Sequence, residues 1–174
     1  MLAGIILTPR TVMDALISVI LKDLMSAVSM DIIWGKYWQI KQSDIHIIYP
    51  QLKDRPFYDN LVRNLTLGNS LFLLALGNSS YDTLKKVKGE FRVIDCKNPK
   101  VGGLRSKYWP CREIVNEKIN HPDNDLFFEY RIHITDSFEE TIVLMNLCVN
   151  GAGLEVDVSF SKTNGAHSFF LAKR

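Results

Sequence analysis

Leu126-Phe-Phe-Glu-Tyr-Arg-Ile-His-Ile-Thr-Asp-Ser-Phe-Glu-Glu140 reads as an apolar strand, Leu126 to Ile132, that runs straight into a helix start. Thr135-Asp136-Ser137 followed by Glu139 and Glu140 is the signature of a capping box, and the helix it opens extends to about Val149. Three earlier strands each lead into a helix in the same way. Leu2 to Leu7 ends at Thr8-Pro9 and precedes a helical stretch from Thr11 to Met25, whose polar positions Asp14, Ser18 and Lys22 recur every fourth residue. Val28 to Trp38 is β-branched and aromatic, and a short helix follows from Ser43 to Tyr49. A helix from Phe57 to Leu67, opened by Asp54-Arg55-Pro56 and stopped by Gly68, leads to the wholly apolar strand Leu71 to Leu76. Ser79 or Ser80 caps the next helix, which Gly89 closes after Lys88.

The order is therefore β-α-β-α-β-α-loop-β-α, with Glu90 to Gly103 as the loop and Leu104 to Asn120 part helical. This repetition predicts an α+β, ferredoxin-like sandwich: a four-stranded antiparallel sheet with helices packed on it. After Gly151, Leu154 to Phe160 alternates apolar and polar residues and suits a strand or a hairpin with Ser168 to Leu171. At 174 residues the chain is one domain by length, with an insertion around 106–124 and an extension from about 150.

Acidic and basic residues nearly cancel, leaving a formal charge of +2, so no global field points to nucleic acid or a membrane. The apolar runs near residue 1 fall far short of the ~20 residues a membrane span needs. Cys96, Cys111 and Cys148 form no C-x-x-C pair, which argues against a disulfide framework or structural zinc and for a reducing, cytoplasmic setting. His46, His121, His133 and His167 lack ligand spacing, so no protein metal cage is expected.

His133 is the side chain with most chemistry in its position. It stands before a helix N-terminus, where unpaired N–H groups and the macrodipole favour phosphate, and a neutral imidazole there is able to attack phosphorus. A plain structural histidine, satisfied by a backbone carbonyl, fits the same position. Arg55 offers a donor fork for phosphate and Phe57 a flat face for a base, although a solvated helix start reads equally well. Lys85 and Lys86, and the Gly102-Gly-Leu-Arg105 turn, are further candidates for anion contact. No G-x-x-x-x-G-K-[ST] occurs, which excludes P-loop chemistry, and no G-x-S-x-G elbow is present.

These segments, taken together and in order, resemble the nucleoside diphosphate kinase family. Tyr49-Pro-Gln-Leu-Lys-Asp-Arg-Pro-Phe-Tyr58 is similar to its H-Y-x-x-L-K-D-R-P-F-F segment, and Leu61 to Gly68 to its G-L-V-x-x-M-x-S-G helix. Gly102-Gly-Leu-Arg105 resembles G-T-I-R, Ile132-His-Ile-Thr-Asp-Ser137 resembles I-H-G-S-D-S, and Ile6-Leu-Thr-Pro9 stands at I-K-P. The resemblance implies that His133 carries the phosphoryl group, that Tyr49 lies close to it, and that Arg55, Arg105 and Lys85 bind phosphates while Phe57 stacks on the base. It also implies Mg²⁺ arriving with ATP or another nucleoside triphosphate, and assembly as a homo-oligomer.

The same comparison exposes departures. The family's lysine before proline is Thr8, its asparagine before the histidine is Tyr130, its glycine after the histidine is Ile134, and the glutamate that orients the histidine falls on Leu144. Lys36, Lys53, Lys107 and the inserted segment are the candidates to replace the lost lysine. Two functions follow: phosphoryl transfer through a phosphohistidine, or a nucleotide-binding or assembly module of the same fold with impaired catalysis.

Overall fold

The computed structural model describes residues 1–55, 58–89, 103–108, 131–163 and 166–173. Strands β1 (Leu2–Leu7), β2 (Met30–Trp38), β3 (Ser70–Gly77) and β4 (Ile132–Ile134) lie in the order β4-β1-β3-β2, each antiparallel to its neighbours. β3 therefore sits between the parallel pair β1 and β2, which is the split βαβ arrangement of a ferredoxin-like sandwich.

β1 and β3 are apolar at consecutive positions because both of their faces are covered. On one face Ala3, Ile5, Leu7, Leu73 and Ala75 pack against Ile20, Leu21 and Leu24 of α2 (Ile17–Ala27) and Leu84 of α5 (Tyr81–Lys88). On the other, Ile6, Phe72 and Leu74 meet Ile45 of α3 (Gln42–Ile48), Leu61 of α4 (Tyr58–Thr66), and Leu144 and Cys148 of the final helix, Phe138–Asn150. Burial pushes the Cys148 thiol up to about 12, which makes it inert at neutral pH.

The four expected strands are joined by two more, the hairpin expected after Gly151. β5 (Gly153–Thr163) pairs with β2 from Gly35↔Val156 to Trp38↔Gly153, and β6 (Ala166–Lys173) pairs with β5 up to Thr163↔Ala166. Only Asn164 and Gly165 separate those two partners in sequence, and Asn-Gly is the dipeptide that tight hairpins favour.

The helix expected over Thr11 to Met25 is two helices, α1 (Pro9–Met13) and α2, broken at Ala15, whose φ is 55°. Polar periodicity cannot register one left-handed residue, which costs an alanine about 1 kcal/mol or more. The break swings Asp14 off the helix axis and onto Arg131, Oδ2 to Nη2 at 2.6 Å.

The caps appear where the sequence puts them. Ser80 accepts from the Thr83 N–H, and Gly89, at φ 85°, ends α5. α6 (Gly103–Lys107) starts at a glycine with φ 58°, where a Cβ would lie 2.5 Å from the Val87 carbonyl and 2.7 Å from the Gly89 nitrogen. The lack of a side chain at Gly103 lets α6 close on the end of α5, and that contact positions Arg105. The last helix, now α7, is capped at its other end by Lys36, whose Nζ donates to the carbonyls of Cys148, Val149 and Gly151 at 3.0, 3.1 and 2.9 Å. Lys36 is thereby committed to the fold.

Candidate active site

β4 continues one residue past His133 before the chain turns into α7, so His133 lies within the strand rather than beyond it; the expected strand residues Leu126 to Tyr130 lie outside the described residues. His133 is the cross-strand partner of Ile6, shares its face of the sheet, and is 4 % exposed. Ile132 and Ile134, on the opposite face, join the core around α2, which explains why the position after the histidine holds a large apolar residue.

The strand-to-helix turn supplies the histidine's partner. Ser137 caps α7 by accepting from the Glu140 N–H at 3.1 Å. The Glu140 carboxylate folds back over the first turn, and its Oε2 accepts from the Asp136 N–H at 2.6 Å. Its other oxygen, Oε1, lies 3.0 Å from His133 Nε2. A carboxylate only accepts, so Nε2 carries the proton and Nδ1 keeps its lone pair.

Nδ1 faces Arg105, with Nη2 at 3.5 Å; the same guanidinium donates from Nε to the Ile132 carbonyl at 3.2 Å and approaches the Gly89 carbonyl at 3.5 Å. Lys88 closes the flank, its Nζ donating to the Ile134 carbonyl at 2.7 Å and pairing with Asp136 Oδ1 at 2.6 Å. Tyr49 meets the imidazole edge-on, centroids 5.5 Å apart and planes at 87°.

The protonation states follow from these neighbours. Burial, chiefly, holds His133 below the ordinary histidine value; Glu140 opposes the shift, and Lys88 and Arg105 add to it. The ring is thus neutral at pH 7. Burial acts to raise Glu140, but the His133 hydrogen bond, the Asp136 N–H and Lys88 outweigh it and keep the carboxyl below its usual range. Lys88 is lowered by burial first and Arg105 second, with Asp136 working against both. The ensemble is a neutral imidazole backed by a carboxylate and opening onto a cation, which is how a nucleophile able to bear a positive charge in its product is built.

Of the residues singled out from sequence, the structure brings His133, Tyr49 and Arg105 together. Arg55 and Lys85 are exposed, and Phe57 lies outside the described residues, as do Tyr130, the loop 90–102 and most of the insertion. Leu144 is fully buried in the core, and the orienting carboxylate is present one helical turn earlier, as Glu140. Sequence reading missed that role because the capping box already accounts for Glu140. Of the candidates for the lost lysine, Lys36 caps α7, Lys107 pairs with Asp23, and Lys53 is exposed.

An antiparallel α+β sandwich with an acid-backed histidine at a strand-to-helix turn defines a class of protein suited to nucleophilic group transfer. The family model for nucleoside diphosphate kinase matches residues 3–140, and the chain belongs to the nucleoside diphosphate kinase family. Similar solved structures share its fold at low identity. The apo nucleoside diphosphate kinase of Encephalitozoon cuniculi is 18% identical, with a TM-score of 0.60 over 87% of this chain and 89% of that one. The Aquifex aeolicus enzyme is 15% identical, with a TM-score of 0.61 over 87% and 94%. The Halobacterium salinarum enzyme, in complex with CDP, is 20% identical, with a TM-score of 0.58 over 86% of each chain. No curated protein sequence matches. Among the described residues no helix is long and apolar enough to cross a membrane, and no group of side chains is arranged to hold a metal ion.

Proposed function

We propose that the chain moves a γ-phosphoryl group from a nucleoside triphosphate to a nucleoside diphosphate or related acceptor through a phosphohistidine at His133. One observation carries this reading: Nε2 is tied to Glu140 while Nδ1 is turned to the Arg105 guanidinium. In the first half-reaction the Nδ1 lone pair forms a bond to the γ-phosphorus, the bond to the β–γ bridging oxygen breaks, and the diphosphate leaves with that electron pair. In the second, a terminal oxygen of the acceptor attacks the same phosphorus and the N–P bond returns its electrons to the ring. The Nε2 proton stays on the ring throughout, held by Glu140, whose charge offsets the cationic phosphoimidazole.

Arg105 stabilises the charge that develops on the transferred oxygens, Arg55 and Lys85 bind the remaining phosphates, Phe57 stacks on the base, and Tyr49 walls the imidazole. Mg²⁺ bound to the nucleotide would supply charge neutralisation of its phosphates, a role that demands no protein cage. A cytoplasmic homo-oligomer is the setting that goes with this activity. The second reading, a nucleotide-binding module without turnover, is favoured by Thr8, a buried neutral residue at the family's lysine position.

Incubation with γ-labelled ATP and Mg²⁺ separates the two. Wild type acquires an acid-labile, base-stable label and His133→Ala does not. A wild type without label, or an H133A variant labelled equally, refutes transfer through this histidine, and nucleotide binding without label supports the module.

A further inference from the structure

Arg131 is a buried cation to which the mechanism assigns nothing. Its side chain is 5 % exposed and pairs through Nη2 with Asp14 Oδ2 at 2.6 Å. Nε and Nη1 are shut away from solvent with no hydrogen-bond partner among the described residues. A guanidinium does not lose its proton, so it cannot relieve buried, unpaired donors by neutralising itself. Such donors are costly, and they are strong ones when an anionic oxygen arrives.

The backbone fixes where they stand. The Arg131 carbonyl accepts from the Thr8 N–H at 3.1 Å and from Thr11 Oγ1 at 2.6 Å, extending the β4–β1 ladder one residue beyond Ile132. Arg131 is thus two residues from His133 on the same strand, about 7 Å away by strand rise, and on the same side of the pleat. Other buried or nearby cations are already engaged: Lys36 caps α7, Lys88 holds Asp136 and the Ile134 carbonyl, and Lys107 holds Asp23. Arg105 approaches Nδ1 from the opposite sequence direction, on α6. Asp14, half-exposed at the left-handed break between α1 and α2, holds the guanidinium by one nitrogen and leaves the other two buried without a partner.

We infer that Arg131 is a phosphate-binding residue of the His133 site, supplying from strand β4 the positive charge that Thr8 cannot supply from β1. The inference rests on the reading of His133 as a phosphoryl carrier, and its ligand is a terminal phosphate of the bound nucleotide.

Titration calorimetry with pyrophosphate, Mg-ADP and adenosine tests it on wild type, Arg131→Gln, Arg131→Lys and Asp14→Asn, each checked by thermal melting. Arg131→Gln is expected to weaken pyrophosphate and ADP roughly ten- to a hundredfold and to leave adenosine unchanged, the scale of a lost charge-assisted contact. Asp14→Asn is expected to tighten both phosphate ligands, because it removes a negative charge beside them, whereas a merely structural pair would lower the melting temperature and leave affinity alone. Arg131→Lys, which keeps the charge and the pairing with Asp14, covers the case in which the glutamine variant does not fold, and is expected to bind pyrophosphate several-fold more weakly than wild type. Wild-type affinity for pyrophosphate and ADP in the Arg131 variants, an equal loss of adenosine affinity, or a wild type that binds neither phosphate ligand overturns the inference. The histidine reading fails separately: a wild type that binds pyrophosphate through Arg131 yet takes no label from γ-labelled ATP sinks phosphohistidine chemistry alone.

Discussion

Glu140→Gln tests the core of the site with the least change of shape. Both carboxylate oxygens are in use, Oε1 on His133 Nε2 at 3.0 Å and Oε2 on the Asp136 N–H at 2.6 Å. A glutamine brings one oxygen and one NH₂ to those two donors. If the oxygen keeps Asp136, the NH₂ faces Nε2–H, and relief requires the ring to move its proton to Nδ1, which removes the nucleophilic lone pair. If the oxygen keeps the imidazole, the Asp136 N–H is orphaned and the negative charge that balances the cationic product is still gone. A hydrogen bond to a charged group contributes about 1.5–3 kcal/mol, which corresponds to roughly a ten- to hundredfold slower phosphorylation. The assay is single-turnover labelling from γ-labelled ATP, with Mg-ADP affinity measured in parallel. Leu144→Ala is the companion control: it opens a cavity in the core, costs about 2–5 kcal/mol of stability, and leaves the labelling rate of the folded fraction unchanged. Labelling of E140Q at the wild-type rate, or a loss wholly explained by weaker ADP binding, refutes the role given to Glu140.

Four further outcomes follow from the structure. Because His133 is held below its ordinary value of 6.5, its nucleophilic form persists as the medium acidifies, so the labelling rate is expected to stay level through pH 6.5; a midpoint at or above that value contradicts the buried, cation-flanked ring. The same shift means that the unfolded chain binds the extra proton, so thermal stability should fall as pH drops below 6.5, and fall again as pH drops below 4.5, the ordinary value from which Glu140 is lowered, a trend that melting curves of wild type and H133A will resolve. Lys36→Met strands three carbonyls at the end of α7 and is expected to lower stability by about 2–4 kcal/mol in denaturant titration, without altering label per folded molecule. Ala15→Gly relieves a left-handed alanine on an exposed turn and should raise stability by about 1 kcal/mol; no gain in the same titration would show the break at Ala15 to be unstrained.

Most of the architecture was legible because it rests on local chemistry. Consecutive apolar residues in β1 and β3 announce strands covered on two faces, Ser80 and Ser137 mark helix starts, and Gly89 marks a stop. The split at Ala15 was hidden, since an apolar stripe continues through it and an alanine takes the left-handed C-cap position usually held by glycine, where the Leu16 N–H donates to the Thr11 carbonyl and the Ala15 N–H to the Val12 carbonyl. In the site, His133, Tyr49 and Arg105 were visible through motif resemblance. Glu140 was not, because one explanation, the cap, concealed a second. Lys88 escaped because choosing it over Lys85 requires knowing which side of α5 faces β4. Arg131 gave no signal at all: donors left buried and unpaired by packing are encoded by no spacing.

The β5–β6 hairpin also changes what the molecule offers to others. With β5 laid along β2, one hydrogen-bonding margin of the sheet passes to Ala166–Lys173, while among the described residues the opposite margin is Ile132–Ile134. Strand-to-strand association with another chain therefore has an extended seam to use at β6, and cutting the chain before Gly153 would bare β2 as a template for uncontrolled pairing.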